Sequence, residues 1–145
     1  MSAENVEIVR AFQPSPDTDL TRLFRRDANP GVVQAWFDAL ARFVTADFVV
    51  VFHVLGPGER RGVSGLRDVW LDWLGPWESY RVGSKEYVDL GERVMVLVHD
   101  YGRRHGMAEE VKLEGGAIYD VRDGKISRAE YFTKRSDAYA AAGLE

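Results

Sequence analysis

Hydrophobic positions in the first part of the chain recur at helical spacing. In ENVEIVRAF these are Val6, Val9 and Phe12, with Ile8 beside them, and the two prolines of QPSPD end the pattern, so a first helix closes near Phe12. Ser15, Pro16, Asp17 and Asp19 then supply a capping hydroxyl, a proline suited to a first helical turn and carboxylates at the positive end of a helix dipole. They predict a short second helix carrying Leu20, Leu23 and Phe24. Asn29 and Pro30 repeat that signal, and Val33, Trp36, Phe37, Leu40 and Val44 follow at helical intervals, predicting a long third helix with one wide buried stripe.

The pattern changes at ADFVVVFHV, an apolar run rich in β-branched residues that predicts a strand ended by the turn residues of GPGERRG. Helical spacing returns in SGLRDVWLDWLGPW, where Leu66, Val69, Trp70, Trp73, Leu74 and Trp77 share a side; Pro76 stops this helix near Leu74, with Gly75 as its cap. Four further strands follow, YRVGSKEYVDL, RVMVLVHDYGRR, EVKLEGGAIYDV and KISRAEYFT, forming an antiparallel meander. Asp123-Gly124 marks the last hairpin, because a two-residue turn needs the positive φ that these residues tolerate. SDAYAAAGL closes the chain as a short helix from a Ser136 cap toward Gly143. Helices first and strands second predict an α+β fold in one domain spanning residues 1–145, in which a curved sheet folds over the helices.

Composition removes several classes of function. The 145 residues contain no cysteine, which excludes thiolate chemistry and disulfides and fits a reducing compartment. Nothing approaches the roughly 18–20 apolar residues of a membrane span, and the acidic, amphipathic start does not read as a signal peptide, so a cytoplasmic protein without membrane association is expected. The net charge of −4, from 23 acidic and 19 basic residues scattered along the chain, offers no basic face for nucleic acid. His53, His99 and His105 lack metal-ligand spacing, and there is neither a phosphate-cradling glycine loop nor a G-x-S-x-G elbow, so neither metal nor cofactor is expected.

The order of elements, together with ENVEIVRAF, RGVSGLRDVWLDWLGPWESYRV and YDVRDGKISRAEYFTKRSDAYAAAGL, resembles the SnoaL-like, ketosteroid-isomerase-like branch of the nuclear transport factor two-like superfamily over nearly the whole chain. The resemblance implies a cystatin-like cone: a bent antiparallel sheet wrapped around the third helix, open at one end to a deep apolar pocket. It also implies a homodimer formed through the outer sheet face, where Tyr119, Val121 and Phe132 are expected. The segment QPSPDTDLTRLFRRDANP exceeds what a minimal relative needs and is expected to cover part of the cone's mouth.

Within such a cone, alternate strand residues face the pocket, and the polar ones carry chemistry. His53 interrupts an apolar strand at a position that, by resemblance, holds pocket-facing polar groups in relatives, including an asparagine that binds the nucleophilic water in limonene-type epoxide hydrolases; the opposing reading is a core histidine. Asp100 ends the face carrying Val94, Val96 and Val98, where an apolar cavity raises a carboxyl pKa and suits it to shuttle protons near neutrality; the opposing reading is a rim residue in a salt bridge. Counting outward from Asp123-Gly124 pairs Tyr131 with Gly116 and Ala129 with Ile118, so that Ser127, Ala129, Tyr131, Ile118, Gly116 and Glu114 share the chosen inward face. Relatives of the DGKIVRLREYFD type place an inward carboxylate where Tyr131 stands. A bulge at Gly115-Gly116 would turn Glu130 inward instead. The catalytic candidates are therefore Asp100, His53 and Tyr131, and the ligand contacts Val51, Trp73, Val98, Ile118 and Glu114.

These residues describe a pocket protein for a small hydrophobic molecule. The leading reading is a cofactor-free isomerase, cyclase or dehydratase acting on a carbonyl or hydroxyl compound by acid–base chemistry. The alternative is a non-catalytic ligand-binding or dimerisation module of the same fold, since this architecture hosts both. An epoxide hydrolase ranks third, because Val98, Asp100 and Gly102 leave no arginine on the relevant strand face.

Overall fold

In the computed structural model, which describes residues 2–24, 29–53 and 59–144, helix α1 (Ser2–Phe12) ends at the prolines as expected and buries Val9 and Phe12. Helix α2 (Leu20–Phe24) begins later than the Ser15-Pro16 signal predicts. Ser15 closes a turn instead, its hydroxyl accepting from the Asp17 N–H at 3.3 Å and its carbonyl from the Thr18 N–H at 3.0 Å. The cap falls to Asp19, whose carboxylate accepts from the Thr21 N–H at 3.0 Å and the Thr21 hydroxyl at 2.6 Å. Helix α3 (Pro30–Ala41) is capped by Asn29, whose side-chain oxygen accepts from Gly31 and Val32 N–H.

Strand β1 (Val44–Phe52) takes Val44 out of the expected helical stripe, because α3 ends three residues earlier. The turn expected at GPG lies in 54–58, outside the described residues, and the chain resumes in the two-residue β2 (Arg60–Arg61) and helix α4 (Gly62–Leu74). Trp77, expected on that helix, instead opens the long strand β3 (Trp77–Asp89), followed by β4 (Arg93–Arg104), β5 (Val111–Arg122) and β6 (Lys125–Phe132). Asp123 and Gly124 both take the positive φ expected at the last hairpin, 52° and 78°. Helix α5 (Arg135–Ala142) ends on left-handed Gly143 as expected, but its N-cap is Lys134, with no side-chain cap bond, in place of Ser136.

Among the described residues, five helices accompany one curved, unclosed six-stranded sheet of order β2-β1-β6-β5-β4-β3. Every neighbouring pair is antiparallel except β1 and β6, which run parallel. Helix α4 lies along β1, α2 packs against β3 and α4, and α3 packs on α4, with Phe24 meeting Trp36 and Phe37 edge to face. No helix among the described residues is long and apolar enough to cross a membrane.

Two irregularities set which residues face inward. In the β3–β4 ladder Glu86 pairs with Leu97 but Ser84 with Val98, so Lys85 is an extra residue; in the β5–β6 ladder Val121 pairs with Ile126 but Asp120 with Arg128, so Ser127 is extra. The second bulge moves the β5 partners by one relative to the counted register. Tyr131 thus lies opposite Ala117 and Ala129 opposite Tyr119, which puts Tyr119 and Val121 on the inner face instead of the outer one. On the outer face Phe132 joins Met95, Leu97 and Ile118 beneath Ala138 and Ala142 of α5. The apolar set expected to drive association is thus spent within one chain.

Candidate active site

The concave face of the sheet and helices α2, α3 and α4 enclose a cavity of about 70 Å³, against ~10–15 Å³ for one water molecule. Its walls are largely aromatic, with Phe52 from β1, Trp70 and Trp73 from α4, Tyr80 from β3 and Tyr131 from β6. Asp100 is its only carboxylate, and no lysine, arginine or histidine lines it among the described residues.

The strand pattern delivers that carboxylate. Val94, Val96 and Val98 alternate inward along β4, and Asp100 continues their side, paired with Val82 across the ladder. Tyr80, one pair further along, donates its hydroxyl to Asp100 Oδ2 at 2.6 Å. Asp100 Oδ1 is buried and makes no hydrogen bond among the described residues. Burial pushes the Asp100 carboxyl up to about 7, against the partial pull of the Tyr80 hydrogen bond. Burial, and then the charge of Asp100, drive the Tyr80 phenol far above its ordinary range, so it remains a proton donor. The Trp73 indole stands edge-on to the Tyr80 ring, with centroids 6.0 Å apart. Its N–H lies near enough to the phenol oxygen to offset that rise slightly, but the geometry falls short of a hydrogen bond and Nε1 is left buried without a partner.

Tyr80 is fixed from both ends. Its ring packs against both Trp73 and Trp77, which also touch each other, and its backbone N–H donates to the Asp19 carboxylate at 3.1 Å, the same oxygen that caps α2. The Thr21 hydroxyl also reaches the Glu78 carbonyl at 3.2 Å, tying α2 to β3 a second time. The segment around α2 thus forms a wall of the cavity, through Leu20 and Phe24, and a brace for one of its polar groups.

A second polar pair lies across the cavity. Tyr119 and Tyr131 stand edge to face with centroids 6.1 Å apart, and the Trp70 ring meets Tyr131 in the same way at 5.6 Å. Burial holds both phenols above their ordinary pKa, so both remain neutral hydrogen-bonding groups.

Of the residues singled out from sequence, Asp100, Tyr131, Trp73 and Val98 line this cavity. His53 does not. On β1 the inward side chains are Phe48, Val50 and Phe52, which leaves Val49, Val51 and His53 on the opposite face. The His53 ring stacks on Phe132 at 4.7 Å and pairs through Nε2 with Glu130 Oε2 at 2.6 Å, so it is neither a pocket group nor a core histidine but half-exposed. Val51 lies beside Glu130 on that outer face. The Ser127 bulge carries Ile118 into the cluster beneath α5 and leaves Glu114 in solvent, where Lys112 holds its carboxyl below the usual range. Glu130 is also outside the cavity, so the alternative face choice does not apply.

Tyr80, Tyr119, Gln13 and Thr133 line the cavity, and Asp19 braces Tyr80, without having been singled out from sequence as site residues. Counting from the Asp89–Arg93 turn without the Lys85 bulge sets Tyr80 opposite Arg103 and on the wrong face. Tyr119 was displaced by the Ser127 bulge in the same way.

No curated protein sequence matches the chain. Several solved structures share its fold. A SnoaL-like protein assigned as a polyketide cyclase from Jannaschia sp. CCS1 superposes with a TM-score of 0.63 at 19% identity, covering 99% of this chain and 94% of that one. A protein of ketosteroid isomerase-like fold from Catenulispora acidiphila DSM 44928, in complex with trimethylamine, gives 0.57 at 19% identity over 81% of this chain and 95% of that one. An NTF2-like protein of unknown function from Burkholderia pseudomallei K96243 gives 0.59 at 13% identity over 94% and 95%. At these identities the likeness is one of fold. The model of the SnoaL-like domain matches residues 29–129, from the cap of α3 into β6, and the chain belongs to the SnoaL-like domain family.

Proposed function

We infer that the cavity is a site for cofactor-free acid–base chemistry on a small hydrophobic carbonyl or hydroxyl compound, of the isomerase, cyclase or dehydratase kind. One observation carries the reading: Asp100 lines an apolar cavity, one of its oxygens held by Tyr80 and the other buried without a partner, and burial raises its carboxyl pKa to about 7. Near neutrality such a group exists in both protonation states, so it can take a proton from a substrate and return it. Tyr131 supplies a hydroxyl on the far wall that orients the ligand. The neighbour assigned as a polyketide cyclase is consistent with this class of chemistry.

The cavity suits substrates of a few non-hydrogen atoms beyond its mouth, so a minimal probe is 3-cyclohexenone, whose isomerisation to 2-cyclohexenone needs one base and one hydrogen-bond donor. The expected result is acceleration that rises with pH through about 7, as Asp100 ionises, and that Asp100→Asn removes. No acceleration over buffer, or acceleration equal in Asp100→Asn, overturns the assignment.

The rival reading is a binding module without turnover. The neighbour that holds trimethylamine favours it, as a related fold occupied by a small ligand. It is separated from catalysis by binding of the same probe without conversion. A homodimer belongs to this reading through family resemblance alone, and sedimentation tests it, a monomer at micromolar concentration counting against it.

A further inference from the structure

We propose that Ala117 is the specificity-determining residue of this cavity: its small side chain holds open the space over β5 and so sets the size of ligand that can enter. The proposal rests on the reading of the cavity as a site for a small carbonyl compound and names the residue that decides how large that compound can be.

The cavity exists because β5 is thin on its inner side. The inward positions there run Leu113, Gly115, Ala117, Tyr119 and Val121. On no other strand among the described residues do glycine or alanine hold two inward positions in succession. Val98 lies beside Gly115, and Val96 and Tyr131 flank Ala117, so the neighbouring strands carry large side chains at the same level. Both small residues line the cavity.

Their smallness has different causes. Gly115 is imposed by the backbone, because a Cβ there would stand 2.5 Å from the Phe132 carbonyl oxygen, where the chain leaves β6. No side chain fits at that position whatever the ligand. Ala117 is a choice. Strands favour β-branched residues, and a valine would bury two methyl groups in place of one, in volume that is otherwise empty. Ala129 gives the comparison. It is the inward alanine of β6, yet it is 0% exposed and does not line the cavity, so its neighbours have closed over it. Ala117 keeps 4% exposure on the cavity wall, so its neighbours have not. A position that forgoes burial beside a candidate site is one kept small for what occupies that site.

The test titrates cyclohexanone and 4-ethylcyclohexanone, ketones with no double bond to shift, into wild type, Ala117→Val, Ala117→Gly and Ala129→Gly, following the Val98 methyl resonances by NMR. The expected result is that the Kd of the larger ketone relative to the smaller rises about tenfold in Ala117→Val and falls several-fold in Ala117→Gly. Ala129→Gly, the same chemical change on the same sheet face but off the cavity, keeps the wild-type ratio. Ala117→Val also melts higher, by roughly 2–6 °C, as the added methyl groups fill the space. A ratio unchanged in both Ala117 variants, or moved equally by Ala129→Gly, overturns the assignment and leaves the pocket reading in place, which turnover of 3-cyclohexenone tests separately. A lower melting temperature for Ala117→Val overturns it as well, because no space then lies over residue 117. Absence of any Val98 movement in wild type with either ketone overturns the proposal and the pocket reading together.

Discussion

Replacing Asp100 with asparagine keeps the shape of the side chain and an oxygen to accept from Tyr80, but removes the charge. The wild-type carboxyl has its pKa raised from 3.8 to about 7. A shift of ~3 units, at about 1.4 kcal/mol each, makes the ionised, folded protein about 4 kcal/mol less stable than one whose carboxyl is unperturbed. The sign follows from proton counting. Between the two pKa values the folded state holds a proton that the unfolded state has lost, so wild-type stability falls as pH rises through this window and levels off above about 7.

Asparagine has no such dependence. Its amide carries a fixed cost, because its N–H₂ takes the place of the unpartnered oxygen, but that cost is the same at every pH. Urea unfolding of both proteins should therefore show Asp100→Asn gaining on wild type by about 3 kcal/mol between about pH 4.5 and about pH 8. All other groups titrate alike in the two proteins and cancel in the difference. A difference that does not change with pH would refute the argument, showing that the carboxyl is solvated or paired in solution.

Three further expectations follow from the same geometry. Tyr80→Phe removes the hydrogen bond that holds the Asp100 pKa down, so the pH midpoint for turnover, or for the carboxyl carbon resonance, should move upward; an unchanged or lowered midpoint contradicts the pairing. Asp19→Ala leaves the Tyr80 N–H and the start of α2 without their acceptor, costing roughly 1–3 kcal/mol in denaturant melts and speeding tryptic cleavage after the exposed Arg22, whereas unchanged cleavage would mean α2 is held by its apolar contacts alone. His53→Ala touches a half-exposed ring on the outer face, so stability should drop by less than about 1 kcal/mol and turnover or binding of 3-cyclohexenone should be unaffected; a loss of either would put His53 back at the cavity.

How much of this was readable from the chain depended on whether a feature needed register. Local backbone signals did not: Asn29, Pro30, Asp123-Gly124 and Gly143 sit where their residue types predict, whereas the caps expected at Ser15 and Ser136 fall to Asp19 and Lys134. Asp100 needed only the alternation within β4, where five consecutive residues are buried because valines pack toward the helices and Met95 and Leu97 toward α5. Anything counted across a ladder was vulnerable to Lys85 and Ser127, whose single-residue bulges exchange faces for every residue beyond them. His53 is a different case. Asp47 and His53 share a parity on β1, and the exposed Asp47 already marks that side as the outer one, so the strand itself carried the signal that the position-by-position resemblance overrode.

The arrangement of the site explains why its polar groups sit among so many rings. An ionised carboxylate and an unpaired indole N–H in an apolar wall both work against folding. They persist where neighbouring packing fixes them so firmly that neither can turn away to find a partner. Trp77 and Trp73 pack on the Tyr80 ring at centroid distances of 5.2 and 6.0 Å, and its partner on β4 is Gly102, where a Cβ would stand 2.6 Å from the Trp77 ring and 2.9 Å from Tyr80. Glycine is thus required for the tyrosine to reach Asp100 at all. Asp19 holds the same residue by its backbone from the segment that leads into α2. The cluster of Trp73, Trp77 and Tyr80 is therefore also the support of the site: it holds the Tyr80 hydroxyl against Asp100 on the cavity wall.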